Sequence, residues 1–341
     1  MTPRLPAEWE EQDAILLSWP HGDSDWCDDL PLVEPVFAAI AAAASRFQRV
    51  LIVAPEAGTI LAQIEQVGGN RAQIAFLPLP TNDTWSRDFG PITVFEGGKP
   101  VLLDFGFNGW GLKFAANYDN LVSRRLHRAG CFGSTPLRTV GLTLEGGSLE
   151  SDGDGTLLTT AECLLGPNRN PHLTREQLEL ELRRLLGSQR ILWLEHGYLA
   201  GDDTDAHIDT LARLCPGDTI TYVHCDDKVD EHFDALRRME QELQTFRTHK
   251  GKPYRLLPLP WPAPCYGDAG ERLPATYANF LVINGAVLVP TYGVAQDPAA
   301  LTVIASAFPE RAIIAIDCRP LIRQHGSLHC VTMHLPKGVL A

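Results

Sequence analysis

The stretch Glu96-Gly97-Gly98-Lys99 separates two short runs of apolar and β-branched residues, which is the pattern of a tight turn in a β-hairpin. Similar turns follow along the chain at Asp152-Gly153-Asp154-Gly155, Pro216-Gly217-Asp218 and Asn284-Gly285. Successive turns are 56, 64 and 68 residues apart (97 to 153, 153 to 217, 217 to 285). This spacing predicts a repeated supersecondary unit, and five units account for the 341 residues if the two termini together form the fifth.

The segments between the turns predict the remainder of each unit. Apolar residues recur at intervals of three and four, as in amphipathic helices, in the segments 30–47, 56–66, 175–186, 229–246 and 298–308. Short apolar runs predict strands at 50–54, 74–77, 191–194, 280–283 and 312–316. A repeated unit of strand, hairpin, helix and strand predicts an α/β protein, either as a closed ring or as an open doubly wound sheet.

The composition is that of an ordinary globular protein, with 45% hydrophobic and 21% charged residues. No segment reads as a linker, so we expect a single domain over residues 1–341. The net charge of −13 disfavours a nucleic-acid surface, because duplex binding needs lysines and arginines against the phosphates. No apolar stretch approaches the roughly 20 residues of a membrane span, and the first residues lack a signal core. The eight cysteines lack CxxC spacing, so we expect reduced thiols and a cytoplasmic protein without membrane partners.

Residues capable of chemistry recur at one position of the repeat. A carboxylate or a histidine lies eight to ten residues before each of the first three turns, and a cysteine stands in the same relation to Gly338. These residues are Asp88, Glu145, His207 with Asp209, and Cys330. If the repeats surround an axis, residues of equal phase lie at equal positions near that axis. The sequence therefore predicts that they meet in one pocket.

Cys330 and His207 are the candidates for covalent and acid–base chemistry. A lone cysteine is more often inert than reactive, but Cys330 is the one cysteine at this phase of the repeat. His207 lies in Asp205-Ala206-His207-Ile208-Asp209, and an extended backbone would place its three polar residues on one side. An acidic surface turn is the alternative. An acid beside a histidine also supports the protonated ring, as general acid–base catalysis requires.

Two carboxylates are candidates for ligand binding. Asp88 follows Trp85 in a short loop, and it either pairs with Arg87 or a backbone amide, or receives a planar guanidinium with both oxygens. Glu145 precedes Gly146-Gly147, where the missing side chains let the backbone approach a ligand closely. A charge at the edge of a hairpin is the alternative for Glu145.

A metal site is the main rival interpretation. The segment 205–209 resembles the manganese-binding stretch of ureohydrolases, but the Gly-Gly-Asp-His and Asp-x-Asp-x-x-Asp-Pro patterns do not occur in the chain. His325, His329 and His334 lack a second Cys or His pair with the spacing of a zinc site. We therefore expect no catalytic metal.

Several motifs, taken together and in order, resemble those of the agmatine deiminase family of guanidine-modifying enzymes, which is related to bacterial peptidylarginine deiminase. The matching stretches are Leu5-Pro6-Ala7-Glu8-Trp9-Glu10, Asn82-Asp83-Thr84-Trp85-x-Arg87-Asp88-x-Gly90-Pro91, Leu144-Glu145-Gly146-Gly147-Ser148, Asn168-Arg169-Asn170-Pro171-His172-Leu173-Thr174, Thr204-Asp205-x-His207-x-Asp209, Tyr277-x-Asn279-Phe280 and His329-Cys330-x-Thr332. The resemblance implies a five-bladed, pseudo-symmetric α/β propeller of the pentein type, formed as one catalytic domain without a metal or an organic cofactor.

The resemblance also implies a role for each matched residue. The expected roles are Cys330 as nucleophile, His207 as general acid–base, Glu145 as support for His207 or a substrate nitrogen, Asp88 and Asp209 as a guanidinium clamp, and Trp85 as a substrate contact. A thiouronium intermediate on Cys330 would be hydrolysed, converting agmatine to N-carbamoylputrescine and ammonia in putrescine biosynthesis. The expected partner is a small cationic guanidine, and a homodimer is the candidate assembly.

Two departures from the family pattern bear on the substrate. The family typically has Gly-Gly-Gly-Asn-Ile before the His-Cys pair, whereas this chain has Gln324-His325-Gly326-Ser327-Leu328, and Ala206 replaces a glycine. Contacts to the far end of the substrate therefore stay open, and arginine or peptidyl-arginine is the alternative substrate. A metal-dependent ureohydrolase and a non-catalytic pentein are the less expected alternatives.

Overall fold

A computed structural model describes residues 2–340 and places seventeen strands within them. The strands are β1 (Pro3–Arg4), β2 (Gln12–Ser18), β3 (Arg49–Ala54), β4 (Ile74–Pro78), β5 (Ile92–Glu96), β6 (Lys99–Gly106), β7 (Leu137–Thr143), β8 (Glu150–Ser151), β9 (Thr156–Thr160), β10 (Arg190–Leu194), β11 (Ala212–Cys215), β12 (Thr219–Val223), β13 (Arg255–Leu259), β14 (Leu281–Ile283), β15 (Ala286–Thr291), β16 (Ala312–Asp317) and β17 (Thr332–Pro336).

Ten α-helices connect the strands of the described residues. They are α1 (Leu30–Ala44), α2 (Ile60–Gln66), α3 (Ser86–Phe89), α4 (Gly109–Leu112), α5 (Val122–Arg128), α6 (Ala161–Leu164), α7 (Arg175–Leu186), α8 (Phe233–Thr245), α9 (Asp297–Ala307) and α10 (Arg319–Ile322). Short 3₁₀ helices occupy Arg71–Gln73, Asp119–Leu121, Gly146–Ser148 and Ile208–Thr210. Among the helices of residues 2–340, none has the length and apolar character needed to cross a membrane.

The strands form five sheets that contain the same three-strand arrangement. In each, an antiparallel pair is followed by a helical connection and a third strand that runs parallel to the second. The triplets are β5-β6-β7, β8-β9-β10, β11-β12-β13, β14-β15-β16 and β17-β2-β3. The last triplet joins both ends of the chain in one sheet, as the turn spacing predicted. β1 and β4 extend two of the sheets at their edges.

The predicted turns are confirmed as the connections within four antiparallel pairs. Gly97, Gly153, Gly217 and Gly285 have φ angles of 60°, 75°, 70° and 70°, a left-handed region that favours glycine. Around Gly285, the flanking residues Ile283 and Ala286 pair directly, which is the geometry of a two-residue hairpin turn.

The predicted helices and strands are confirmed, with shifts at their ends. Helix α7 has the predicted bounds because Thr174 and Gln177 form a capping box at its start and Gly187 ends it with a φ of 73°. The predicted start of α2 at residue 56 was wrong. Gly58 has a φ of 41°, which a right-handed helix excludes, and α2 begins at Ile60.

The segment before the first strand of each antiparallel pair carries the polar residues of the repeat. These residues are Asp88 before β5, Glu145 before β8, His207 and Asp209 before β11, Asn279 before β14 and Cys330 before β17. The equal phase that the sequence predicted is thus present in all five units. The fifth position, Asn279, was missed because its turn follows at a shorter distance.

Candidate active site

A cavity of about 320 Å³ lies beside Asp88 and Cys330. Its lining consists of Asp25, Asp83, Trp85, Asp88, Trp110, Phe114, Asp203, Thr204, Gln324, His325, Gly326 and Cys330. Four of these residues are aspartates, three are Trp or Phe, and none is lysine or arginine. The cavity therefore suits a slender ligand that carries positive charge and an apolar section.

Asp88 is fixed at the cavity by hydrogen bonds to both of its oxygens. Oδ1 accepts from the backbone N–H of Gly147 at 2.9 Å, and Oδ2 accepts from Trp110 Nε1 at 2.9 Å. Despite these donors, burial raises the pKa of Asp88 to about 7. The Gly147 contact confirms the predicted pairing of Asp88 with a backbone amide. The predicted pairing with Arg87 is wrong, because Arg87 Nη2 lies 3.3 Å from Glu8 Oε2 instead. Asp88 is left facing the cavity without a charged partner of its own.

The segment 205–209 is not extended, so the predicted alignment of its three polar residues was wrong. Asp205 and Ala206 have left-handed φ angles of 66° and 60°, and a 3₁₀ turn follows over Ile208–Thr210. The carboxylate of Asp202 stabilises this course by accepting from the backbone N–H of Ala206 at 2.7 Å. Asp205 consequently turns away from the nucleophile and binds Arg169 Nη1 at 2.6 Å.

His207 is fully buried, and neither ring nitrogen has a hydrogen-bond partner. Its Nδ1 lies 3.7 Å from Asp88 Oδ1. A Cβ atom on Gly147 would come within 2.6 Å of this Nδ1, so a glycine is required at position 147. Burial, together with the charges of Arg169 and Lys113, lowers the pKa of His207 well below its ordinary value. The ring is therefore neutral in the empty cavity and has two nitrogens available for proton transfer.

Glu145 is paired with Arg169 rather than with His207. Arg169 Nε donates to both Glu145 oxygens at 3.0 Å, and its Nη2 donates to the Thr204 carbonyl at 2.8 Å. Glu145, Cys163 and His207 nevertheless place potential ligand atoms within 4.8 Å of one another. A metal cation does not fit this set, because the Arg169 guanidinium already occupies both carboxylate oxygens. Arg169 lies inside a matched motif, but no pattern in the sequence indicates its contact with Glu145.

Cys330 lies between Asn279 and Asp209. Its Sγ is 3.3 Å from Asn279 Nδ2 and 3.9 Å from Asp209 Oδ2. Asn279 Oδ1 also accepts from the backbone N–H groups of His329 and Cys330, at 2.9 and 3.3 Å. Burial raises the pKa of the Cys330 thiol well above its usual value, and the neighbouring carboxylates of Asp209 and Asp88 add to this effect. The Cys330 thiol is therefore protonated before a cation binds.

Two tryptophans form the walls of the cavity. The predicted residue Trp85 packs against Gly326, where a Cβ would approach its ring to 2.1 Å. The divergent segment before the nucleophile thus keeps a glycine where the ring requires one. Trp110 was missed, although the flanking Gly109 and Gly111 are a sign of unusual backbone. Trp110 itself has a φ of 55°, and this conformation carries its indole N–H to Asp88.

Known proteins resemble the chain over almost its whole length. A sequence profile of the Porphyromonas-type peptidyl-arginine deiminase family matches residues 4–336. The agmatine deiminase of Stutzerimonas stutzeri is 32% identical, over 97% of this chain and 95% of its own length. The solved C. jejuni agmatine deiminase with a Cys-to-Ser substitution and bound substrate is 39% identical, with a TM-score of 0.92 over 99% of this chain and 97% of that one. A solved Porphyromonas gingivalis protein, described as a candidate arginine deiminase, is 50% identical, with a TM-score of 0.94 over 98% and 99% of the two chains.

Proposed function

The chain belongs to the Porphyromonas-type peptidyl-arginine deiminase family, and from this premise we propose that it hydrolyses agmatine to N-carbamoylputrescine and ammonia through a covalent intermediate on Cys330. It is then a hydrolase of C–N bonds in guanidines. One observation carries the proposal: Asp88 and Cys330 line one cavity, with Asp209 Oδ2 at 3.9 Å from the Cys330 sulfur and the unpartnered ring of His207 at 3.7 Å from Asp88.

Asp88 and Asp209 are the groups that hold the guanidinium. Oδ1 of Asp209 is buried and has no hydrogen-bond partner, so it is available to a donor that the ligand supplies. A guanidinium has only N–H donors, arranged in a plane that suits two carboxylates. Held in this way, its central carbon lies near the sulfur of Cys330, and the orientation lowers the barrier to attack.

Binding of the cation prepares the first chemical step. Positive charge beside Cys330 opposes the carboxylates that keep its thiol protonated, and the thiol proton passes to His207. The sulfur adds to the guanidinium carbon, and a C–S bond forms. His207 then delivers the proton to one nitrogen, the C–N bond breaks, and ammonia leaves. A thiouronium group remains on Cys330.

Water completes the reaction in the second step. His207, neutral again, accepts a proton from a water molecule as the oxygen adds to the thiouronium carbon. The C–S bond breaks, His207 returns its proton to the Cys330 sulfur, and the ureido product departs. The second proton of the water molecule passes to the solvent, where the released ammonia takes up a proton as ammonium. Glu145 lies close to His207, and its carboxylate pairs with Arg169, whose charge lowers the pKa of the ring. Its role is therefore to neutralise part of that charge.

The charge of the cavity favours agmatine over arginine. Asp25, Asp83 and Asp203 add carboxylates to the lining, which contains no lysine or arginine. The ammonium group of agmatine is compatible with this lining, whereas the α-carboxylate of free arginine would meet like charge. Lys113 does not offset this repulsion, because its Nζ is bound at 2.6 Å to both Asp205 Oδ1 and the Asp203 carbonyl.

The five sheets share one three-strand arrangement, which supports a more specific description of the fold. The family places the chain among α/β pentein proteins, and we infer that its five units close about an axis as a five-bladed propeller forming one domain over residues 1–341. Two observations favour this closure: β17 and β2 pair the two ends of the chain, and residues from separate units surround one cavity. The repeat phase then explains why each unit contributes to the site.

We expect purified protein to release ammonia and N-carbamoylputrescine from agmatine, with a kcat/KM at least about tenfold above that for arginine because of the acidic lining. The measurement is a paired assay of ammonia and ureido product over agmatine, arginine, peptidyl-arginine and a small alkylguanidine. Preference for a peptide substrate would show that the acidic lining does not select the ligand.

The same assay distinguishes the proposed reaction from that of a metal-dependent ureohydrolase. Extended dialysis against a strong chelator should leave the agmatine rate unchanged, because no step of the proposed reaction uses a metal. Loss of activity that manganese restores, with urea as the product, would establish a ureohydrolase instead.

We expect substrate binding at pH 7 to release protons. In the empty cavity, burial raises the pKa of Asp88 to about 7 and that of Asp209 well above its usual value. A bound cation favours the ionised carboxylates, so affinity falls as the pH falls through 7. Calorimetric titration of a Cys330→Ser variant in buffers of different ionisation enthalpy measures this release without turnover. Net proton uptake at pH 7 would contradict the assignment.

A further inference from the structure

His329 precedes the nucleophile and is buried on a different side of the backbone. Its side chain is 1% exposed and does not line the substrate cavity. Nδ1 lies 2.7 Å from Asp209 Oδ2, and Nε2 lies 2.5 Å from Glu8 Oε2. The ring thus connects Asp209, a carboxylate of the proposed clamp, to Glu8 near the start of the chain. The reaction described above assigns no role to His329.

Glu8 is itself firmly fixed in its ionised form. Its oxygens lie 3.3 Å from Arg87 Nη2 and 3.3 Å from Arg213 Nη2, and Oε1 accepts from the backbone N–H of Val282 at 2.7 Å. Burial opposes ionisation, but the charges of His329, Arg213 and Arg87 outweigh it and hold the pKa of Glu8 well below its usual range. A permanent negative charge therefore faces Nε2 of His329.

The Nδ1 contact places one proton between His329 and Asp209. A neutral imidazole carries a single N–H; with this N–H on Nδ1 the ring donates to Asp209, and Nε2 accepts from Arg213 Nη2 at 3.1 Å. Burial, together with the charges of Arg213 and Arg87, lowers the pKa of His329 well below its usual value, and Glu8 only partly offsets this effect. The Nδ1 contact is therefore a hydrogen bond that fixes the Asp209 carboxylate by its Oδ2.

A proton relay through His329 is not needed for turnover. A guanidinium and water give a ureido group and ammonium, so the overall reaction neither releases nor consumes a proton. His207 exchanges the internal protons directly at the cavity. The network of His329 is therefore suited to the orientation of Asp209 rather than to proton transport.

We propose that His329, held against Glu8, is the positioning residue that fixes the Asp209 carboxylate by its Oδ2 and leaves the free Oδ1 for the substrate guanidinium. The inference rests on the proposed function. Asp209 Oδ2 is occupied by His329, and Oδ1 has no partner in the described residues, so the ring decides which oxygen the ligand receives. His329 acts through Asp209 and touches no reacting atom.

Two amide substitutions separate the contacts of the ring. In His329→Asn, the amide nitrogen takes the place of Nδ1 and can still donate to Asp209. In His329→Gln, the amide extends toward Glu8, and the donor to Asp209 is lost. A hydrogen bond to a charged group contributes enough that its loss weakens binding by about 10- to 50-fold. In a Cys330→Ser background, we therefore expect His329→Gln to raise the Kd for agmatine at least about fivefold more than His329→Asn.

A matched control comes from His232, another buried histidine that lies outside the cavity lining. Its Nδ1 is 2.6 Å from Asp230 Oδ1, and its Nε2 accepts from the backbone N–H of Ala200 at 2.8 Å. His232→Asn in the same background should lower the Tm and leave the Kd for agmatine unchanged. This comparison separates the cost of altering a buried histidine from the loss of substrate binding.

The agmatine titrations distinguish a failure of the positioning role of His329 from a failure of the proposed function. If the Cys330→Ser parent binds agmatine and both His329 variants match its Kd, or weaken it equally in proportion to a loss of Tm, the positioning role is overturned while the proposed function stands. A parent that does not bind agmatine overturns the proposed function and this inference with it. If His329→Gln does not fold, Glu8→Gln should still raise the Kd, and an unchanged value there overturns the inference.

Discussion

Replacement of Cys330 with alanine is expected to abolish turnover and leave the fold intact. The thiol is the one protein group of the proposed reaction that forms a bond to the substrate carbon, so its loss should lower kcat by at least about 10⁴-fold. Its removal deletes one buried atom, which costs about 1 kcal/mol of unfolding free energy. Steady-state assay with a confirmed intact mass measures the first effect, and thermal unfolding measures the second.

The covalent intermediate offers an independent check of the same residue. Acid quenching of the active protein during turnover should trap a thiouronium adduct on the peptide that contains Cys330. Cys215→Ala is the control, because Cys215 is equally buried but lies in β11 away from the cavity lining. That variant should keep kcat/KM within about twofold of the parent. Full activity in Cys330→Ala would place the nucleophile elsewhere.

The repeated architecture was predictable because it depends on the backbone preferences of residues that are close in the sequence. Tight turns such as Asn284-Gly285 demand glycine, and helices such as α7 begin at a capping residue, so both leave signals in neighbouring residues. The phase of Cys330 and His207 within the repeat then indicated one pocket, because equivalent segments of a repeat occupy equivalent places. These features need no knowledge of distant contacts.

The remainder of the site depends on contacts between distant residues, which periodicity does not encode. Arg169 binds Glu145 from 24 positions away, and His329 meets Glu8 from 321 positions away. Neither contact follows from the position of its residues in the repeat, and each residue by itself reads as an ordinary charged or aromatic side chain. The prediction of extended geometry for 205–209 was wrong for a related reason. The Asp202 carboxylate accepts a hydrogen bond from the backbone N–H of Ala206 and stabilises a left-handed turn.

Asp88→Asn is expected to lower kcat/KM by about 10²- to 10³-fold. Both oxygens of Asp88 already accept from the protein, Oδ1 from Gly147 and Oδ2 from Trp110. An asparagine must turn its NH₂ group toward one of these donors, and it loses the charge that the guanidinium requires. Breaking one side of a buried charged pair costs on the order of 3–5 kcal/mol, and steady-state kinetics with agmatine measures the loss.

Asp230→Asn is the matched control for this substitution. Asp230 also accepts an indole N–H, from Trp261 Nε1 at 3.0 Å, and it pairs with Arg272 at 2.8 Å, but it does not line the cavity. The loss of this network should appear as a lower Tm with little change in kcat/KM. At Asp88 we expect a large fall in kcat/KM without a loss of Tm. Burial raises the pKa of Asp88, which shows that the ionised carboxylate destabilises the protein until a cation binds. Equal and small kinetic effects at the two positions would show that Asp88 does not bind the guanidinium.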